Sequence, residues 1–303
     1  MSEIAQYKKL ARDTYNIVWT LYIAGFVLAL ITGGLLLPLT FVLVFIGAYG
    51  GEVGWLDTCD IGVVGNGKWA KIMVPKIAKF ANIKFIANTK TGYKKFKLNK
   101  ISWIFVLTNN KTHFKIVKYF LNKRKNVFCE KPLTKNFLSS VKLFQLSKKN
   151  KIGLYVNDVE IFKKKDFSIK RNNLIVREKK SQISEDSLLH RFAYHDFYLL
   201  KKHINLNDIK VKKYSENKKN LFINFSTGNK TFKFSYNIKS KLKKHKINNT
   251  NMMTCKKDPL EMMIKHVLDG KTNLNRNFSN SLFSSKLISK INKKFYWDIN
   301  YAK

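Results

Sequence analysis

The block "CDIGVVGNGKWAKIMVPKIAKF", Cys59 to Phe80, limits the fold of this chain more than any other stretch. Ile61 to Val64 reads as a short buried strand, Gly65-Asn66-Gly67-Lys68-Trp69-Ala70 fits GxGxxA, and the residues that follow suit an amphipathic helix. A strand feeding a glycine turn and then a helix is the opening of a Rossmann dinucleotide site. Gly65 permits the tight turn, Gly67 lets the backbone approach a pyrophosphate, and Ala70 allows close packing of helix on strand. The helix N-terminus adds free N–H groups and a partial positive charge. In such a site the second strand, here "NIKFIAN", ends in an acid that holds the adenosine ribose; this one ends in Asn88, followed by Thr89 and Lys90. That position leaves NAD and NADP equally open.

The next block alternates strands and helices. Ile101 to Leu107 reads as a strand, His113 to Asn122 as a helix, Asn126 to Cys129 as a strand, Lys135 to Lys149 as a helix and Ile152 to Val156 as a strand. Such alternation means parallel strands with crossover helices. The tripeptide Glu130-Lys131-Pro132 therefore sits at the carboxyl end of a parallel strand, where open α/β sheets bind their ligands. A lysine placed there, beside a nicotinamide, can hydrogen-bond a substrate hydroxyl and stabilise the charge that develops as hydride leaves.

With these motifs in this order, the chain from about residue 60 to the C-terminus resembles the glucose-fructose oxidoreductase / inositol dehydrogenase (Gfo/Idh/MocA) family. The likeness rests on the glycine fingerprint, on Thr108-Asn109-Asn110-Lys111-Thr112-His113, which looks like the family's Thr-Pro-Asn-x-x-His loop, and on Glu130-Lys131-Pro132. His195 in "FAYHDFYLL" looks like the family's second-domain histidine, and "DPLEMMIKHVLDGKTNLN" is similar to its penultimate helix. The resemblance implies an α/β fold: a Rossmann-type parallel sheet domain over 58–156, then a reduced α+β domain with a mostly antiparallel sheet over 157–303. It implies a cofactor set of Gly65, Asn66, Gly67, Lys68, Trp69, Ala70, Asn88, Thr108, Asn110, His113 and Glu130. Lys131 and His195 become the catalytic pair, with Tyr194 as a fallback phenol; Lys131, Arg191, His195 and Asn157 would meet the substrate. His195, with an ordinary pKa suited to neutral acid-base work, would accept the hydroxyl proton while Lys131 polarises the same oxygen.

The pattern also departs from that family. Arg191 stands where an aspartate is usual, Glu185, Asp186 and Ser187 replace glycines, and Asn157 and Asp158 follow the last parallel strand where arginines are common. An arginine at 191 either favours an anionic substrate or abolishes the usual chemistry. From Val211 to Asn251 apolar and basic residues alternate as in a few antiparallel strands, less than the large sheet on which the family builds its oligomers. A homo-oligomer fits the resemblance without being required by it.

The formal charge of +39 points first to a polyanion. Only Arg12, Arg124, Arg171, Arg177, Arg191 and Arg276 among the 58 basic residues are arginine, whereas phosphate and base readers favour the bidentate guanidinium. The lysines run through every segment after residue 60 alongside asparagine and isoleucine, which reads as compositional bias. Weak non-specific polyanion binding follows; a specific nucleic-acid partner does not. Cys59, Cys129 and Cys255 lack metal-ligand spacing, so no metal site or disulfide framework is expected and a reducing compartment fits.

From Asn16 to Gly51 there is no charged residue, and a run of that length reads as membrane-embedded. It makes either one tilted span or a tight helical hairpin within a segment 1–55, turning at Thr32-Gly33-Gly34. Each hairpin arm falls short of the ~20 residues of a full span. Even so, Lys8, Lys9 and Arg12 on one side and the lysine-rich region on the other place both ends in the cytoplasm, which requires an even number of crossings. The hairpin is preferred, with lipid contacts through 16–51 and the Rossmann domain facing the cytoplasm; a fortuitous fusion would instead leave the protein cytoplasmic. The activity expected is NAD(P)-dependent hydride transfer at a hydroxyl or keto carbon of a sugar, cyclitol or nucleotide-sugar. The alternative is a degenerate nucleotide-binding or scaffold member of the same fold.

Overall fold

The computed structural model describes residues 59–301 apart from 164, 184, 185 and 254, with side chains described as far as 292. The chain divides after Thr58, and the unit beginning at Cys59 is the one described below. Among the described residues no helix is long and apolar enough to cross a membrane. The expected hairpin over 16–51 lies outside them and gains no support from them, and Glu185 lies outside them as well.

Five short, almost continuously apolar segments form a parallel sheet: β1 (Asp60–Val64), β2 (Asn82–Ala87), β3 (Trp103–Val106), β4 (Asn126–Cys129) and β5 (Leu154–Val156), in the order β2-β1-β3-β4-β5. Continuous apolar runs belong in strands covered on both faces. Helices α1 (Lys68–Ile77), α2 (Asn110–Asn122) and α3 (Phe137–Asn150) make the crossovers. Asparagines start two of them: Asn109 accepts from the Lys111 N–H, and Asn136 from the Ser139 N–H. No helix joins β2 to β3; residues 88–102 form a loop whose Phe96 ring stacks on Phe85 at 4.2 Å. Phe85 also presses on β1, where a Cβ at Gly62 would lie 2.2 Å from its ring, so a side chain there would have to displace that ring.

The second sheet has six strands, β6 (Asn172–Glu178), β7 (Lys210–Glu216), β8 (Asn220–Thr227), β9 (Lys230–Asn237), β10 (Lys244–Ile247) and β11 (Thr250–Asn251), in the order β11-β10-β6-β9-β8-β7. Only the β6–β9 pair is parallel. Alternation sends Leu221, Ile223 and Phe225 of β8 into one core with Phe232, Phe234 and Tyr236 of β9. The sheet exceeds the few strands expected, because β6 enters at its centre from outside the alternating region. A wide π-helical turn over Leu189–Ala193 leads into α4 (Tyr194–Leu199), which packs on this core.

The last two helices bind the halves together. Helix α5 (Pro259–Leu268) returns to the first sheet, placing Met263, Ile264 and Val267 against Ile61, Met73 and Phe105. Helix α6 (Leu274–Tyr301) begins against the same domain, with Phe278 edge-on to Phe144 at 4.5 Å. Its Asn277 amide accepts from the Val156 N–H at 2.8 Å and donates to the Val156 carbonyl at 2.7 Å, acting as a further strand partner for edge strand β5. Further along, Leu287, Ile288 and Ile291 enter the second core. The expected boundary after Val156 thus marks the end of the parallel sheet, but the first domain's core is completed by helices from the end of the chain.

Candidate functional site

Strand β1 ends in the predicted glycine turn. Gly65 has φ +119°, and a Cβ there would lie 2.7 Å from the Leu107 carbonyl, so a side chain is excluded both by backbone strain and by the backbone just after β3. Gly67 differs: a Cβ would meet nothing within 4 Å. Gly67 caps α1 without any side-chain bond to the helix, so the first N–H groups of α1 are left for a ligand. Asn66, Lys68 and Trp69 are exposed around this open space, while Ala70 packs inward as expected. Free N–H donors facing an open cradle fit a dinucleotide pyrophosphate. At the tip of β2, the Asn88 side chain accepts from the N–H groups of Lys90 (2.8 Å) and Thr91 (3.0 Å), shaping its own turn.

The Thr108 loop is built by internal bonds. The Thr112 hydroxyl donates to Thr108 Oγ1 at 2.8 Å. His113 is buried, with Nδ1 2.9 Å from the Pro132 carbonyl and Nε2 3.1 Å from that of Thr108. Burial lowers its pKa, and the neutral ring has one N–H, so it donates to one of these two carbonyls at a time while its bulk fills the space between the Thr108 loop and the Glu130–Pro132 loop. Asn110 donates to Asp186 at 3.0 Å, and its buried Oδ1 has no partner among the described residues.

At the end of β4, Glu130 accepts from the Asn157 amide at 2.7 Å, and Asn157 Oδ1 accepts in turn from the Val159 N–H at 3.0 Å. Asn157, expected to meet substrate, is buried and instead joins the ends of β4 and β5. Lys131 donates to the Arg191 carbonyl in the π-helical turn. Desolvation, together with Arg177, Lys179 and Arg191 and against the pull of Glu130, brings the Lys131 ammonium down to about 7.

His195 is buried on α4, with Nδ1 2.9 Å from the Tyr198 hydroxyl. Burial, then Lys131 and Arg177, push its pKa well below the ordinary value. The sequence expectation for His195 rested on an ordinary histidine pKa, which the buried ring does not keep, while burial brings the Lys131 ammonium to about 7. Tyr194 does not join the pair, since its buried hydroxyl donates to Ser281 on α6 at 2.9 Å. The Arg191 guanidinium bonds Ser181 (3.0 Å) and the Gln182 carbonyl (3.1 Å), and Lys68 reaches the same segment through Gln182 Oε1 at 2.9 Å.

Behind the pair lies a charged network that sequence reading missed. Arg177 of β6 makes a bidentate pair with Asp196, at 2.9 and 2.8 Å, and approaches Glu160 at 3.3 Å. Asp196, wholly buried, also accepts from Tyr236 at 2.6 Å and lies 2.9 Å from His245 Nε2. Burial opposes its ionisation, but Arg177 and His245 hold the carboxyl well below the usual range. A signal was present in "YHDFY", an acid beside the chosen histidine; its partner on β6 could not be read from spacing. Arg177 and Lys179 then open onto a cleft of about 530 Å³ that Trp69, Lys243, Lys256 and Lys257 also line.

Comparison with known proteins agrees with this architecture. The model for "Oxidoreductase family, NAD-binding Rossmann fold" (the Gfo/Idh/MocA family) matches residues 68–158. The region carries an NAD-binding Rossmann fold, and the family resemblance is supported. No curated protein matches the sequence. Among solved structures, UDP-N-acetylglucosamine 3-dehydrogenase GnnA from Acidithiobacillus ferrooxidans superposes with a TM-score of 0.64 at 12% identity, over 76% of this chain and 95% of that one. KijD10, a 3-ketoreductase from Actinomadura kijaniata solved with NADP and TDP-benzene, gives 0.60 at 12%, over 77% and 96%. A Gfo/Idh/MocA family oxidoreductase from Vibrio cholerae gives 0.58 at 14%, over 79% and 100%. At these identities the likeness establishes a shared fold.

Proposed function

We propose that this chain is an NAD(P)-dependent oxidoreductase of the Gfo/Idh/MocA family. It moves a hydride to or from a hydroxyl or keto carbon of a sugar, with nucleotide-sugars preferred. The observation that carries this reading is the bond from Lys131, at the carboxyl end of β4 in the sheet that bears the glycine cradle, to the Arg191 carbonyl in the turn that leads directly into α4 and His195. Lys179, Lys243, Lys256 and Lys257 of the cleft, whose lysines outnumber its acids Glu160, Glu178 and Asp258, favour an anionic ligand, and Trp69 offers a ring to pack on it. The activities named for GnnA and KijD10 support the same substrate class.

The backbone N–H groups at Gly67 and the start of α1 would hold the cofactor pyrophosphate, and a bound reduced nicotinamide supplies the hydride. Lys131 serves the substrate oxygen. As an ammonium it polarises a carbonyl and gives up a proton as the alcohol forms; as an amine it takes the proton from a hydroxyl in the reverse direction. With its pKa near 7, both forms are populated at neutral pH. Glu130 and Asn157 keep the loop that presents Lys131 in place.

The uncharged run over 16–51 would hold the protein at the cytoplasmic membrane; retention in the membrane pellet after alkaline extraction tests this, and release to the supernatant rejects it. A second reading is cofactor binding without turnover. It draws on Arg191, which stands in the aspartate position and whose guanidinium is already engaged by Ser181 and Gln182. Titrating the full chain with NADH and NADPH, followed by nicotinamide fluorescence in wild type and Gly67→Trp, tests the core proposal. Saturable binding that Gly67→Trp abolishes upholds it, and absence of binding to folded protein rejects it. Nucleotide-sugar turnover lost in Lys131→Ala then separates enzyme from scaffold.

A further inference from the structure

The Tyr198 hydroxyl has two neighbours in hydrogen-bonding range. It accepts from the Glu160 backbone N–H at 3.1 Å, and it lies 2.9 Å from His195 Nδ1. Tyr198 is only 4% exposed, and a buried hydroxyl proton goes to the acceptor that faces it. Among the described residues His195 Nδ1 is the one acceptor within reach. The phenol must therefore donate to Nδ1, and a neutral ring whose Nδ1 accepts carries its own proton on Nε2.

A doubly protonated ring would aim a second N–H at an oxygen that already accepts from Glu160, and would leave the phenol proton without a partner. The surrounding charges act in the same sense. Lys131 from the β4 loop, Arg177 from β6 and Lys163 from the turn after β5 all disfavour a cation here; Asp196, which favours one, is committed to Arg177, His245 and Tyr236, and Glu160, whose backbone N–H reaches Tyr198, is engaged by Lys163 and Arg177. The flanking Tyr194 ring lies edge-on at 6.2 Å and brings no charge. Nε2 has no protein partner among the described residues.

We propose that Tyr198 is a positioning residue that locks His195 as a neutral imidazole protonated on Nε2, so that His195 meets the substrate oxygen as a hydrogen-bond donor. Proton exchange then belongs to Lys131 alone. This rests on the reading of Lys131 and His195 as the reacting pair. Two donors offered to the same substrate oxygen would suit a carbonyl that gains negative charge, so with Lys131 protonated the proposal favours the reductive direction.

The tautomer can be read in the full chain without cofactor or substrate. Long-range proton–nitrogen correlation spectra of protein labelled with ¹⁵N-histidine resolve the ring pattern of each histidine. His195 is assigned by the signal missing in His195→Asn. The expected result is the Nε2–H pattern, unchanged as pH is lowered through the ordinary histidine value of 6.5. In Tyr198→Phe, Nδ1 loses its donor, and the pattern shifts to a mixture of tautomers. A wild-type ring protonated on Nδ1, or one that becomes doubly protonated near 6.5, overturns the proposal, as does an unaltered pattern in Tyr198→Phe. Because the spectrum needs no turnover, a protein that binds no nicotinamide would sink the oxidoreductase reading while leaving this result intact, and the converse also holds.

Discussion

Lys131 is a cation that the folded chain would rather neutralise. Its pKa falls from 10.5 to about 7 on folding, so between those values the unfolded chain binds more protons and stability rises with pH. Lys131→Met should remove that pH dependence and, after allowance for partial exposure of the ammonium, stabilise the protein by about 2 kcal/mol in urea titrations at pH 7. Turnover in the same variant should fall about a hundredfold or more. Asp196 is the opposite case, a buried carboxylate whose removal takes away the bidentate partner of Arg177 and leaves it only Glu160. Asp196→Ala should cost roughly 3–5 kcal/mol by the same titration, and a loss below 1 kcal/mol would mean that the pairing contributes little. Lys131 was legible because its neighbours form a distinctive tripeptide at a strand end. Arg177 and Glu160 were not, since each acquires its role from a partner well along the chain; Tyr198 was not either, because the direction of its bond to nearby His195 depends on the Glu160 N–H, 38 residues away.

At the level of elements, the Asn277 amide satisfies both backbone groups of Val156 on the free edge of β5. Asn277→Ala should cost roughly 1–3 kcal/mol and speed hydrogen exchange of the Val156 amide more than that of Val127 in β4. Equal exchange rates at the two amides would show that the edge is protected otherwise. The parallel strands and their crossover helices could be located from sequence because buried strands are continuously apolar and amphipathic helices follow them. Strand β6 escaped: "NNLIVRE" carries Arg177 and Glu178, which look solvent-facing until the network around Asp196 receives the arginine. Helix α5 was expected as a helix, but its apolar stripe names no partner, and its docking against α1 could be learned only from the fold.

For the molecule as a whole, the charge of +39 should make heparin binding fall steeply with added salt, while nicotinamide binding, which rests on few contacts, declines far less. Parallel titrations at low and high salt check this; equal slopes would assign both to one surface. Removing residues 1–58 should leave nicotinamide affinity unchanged within about twofold, because every cradle residue lies in the unit beginning at Cys59. The docking of α5 bears on how the chain is made. One face of the first sheet, including Ile61, Phe105 and Phe128, is finished by residues from Met263 onward. At bacterial-type synthesis rates the ribosome takes roughly 5–20 s to travel from β5 to α5, so the nascent dinucleotide domain waits that long with this apolar wall covered only in part, by α1. A chain made this way is a natural client for a holding chaperone, and a ribosome stalled just before α5 would strand a half-walled, sticky intermediate rather than a finished domain.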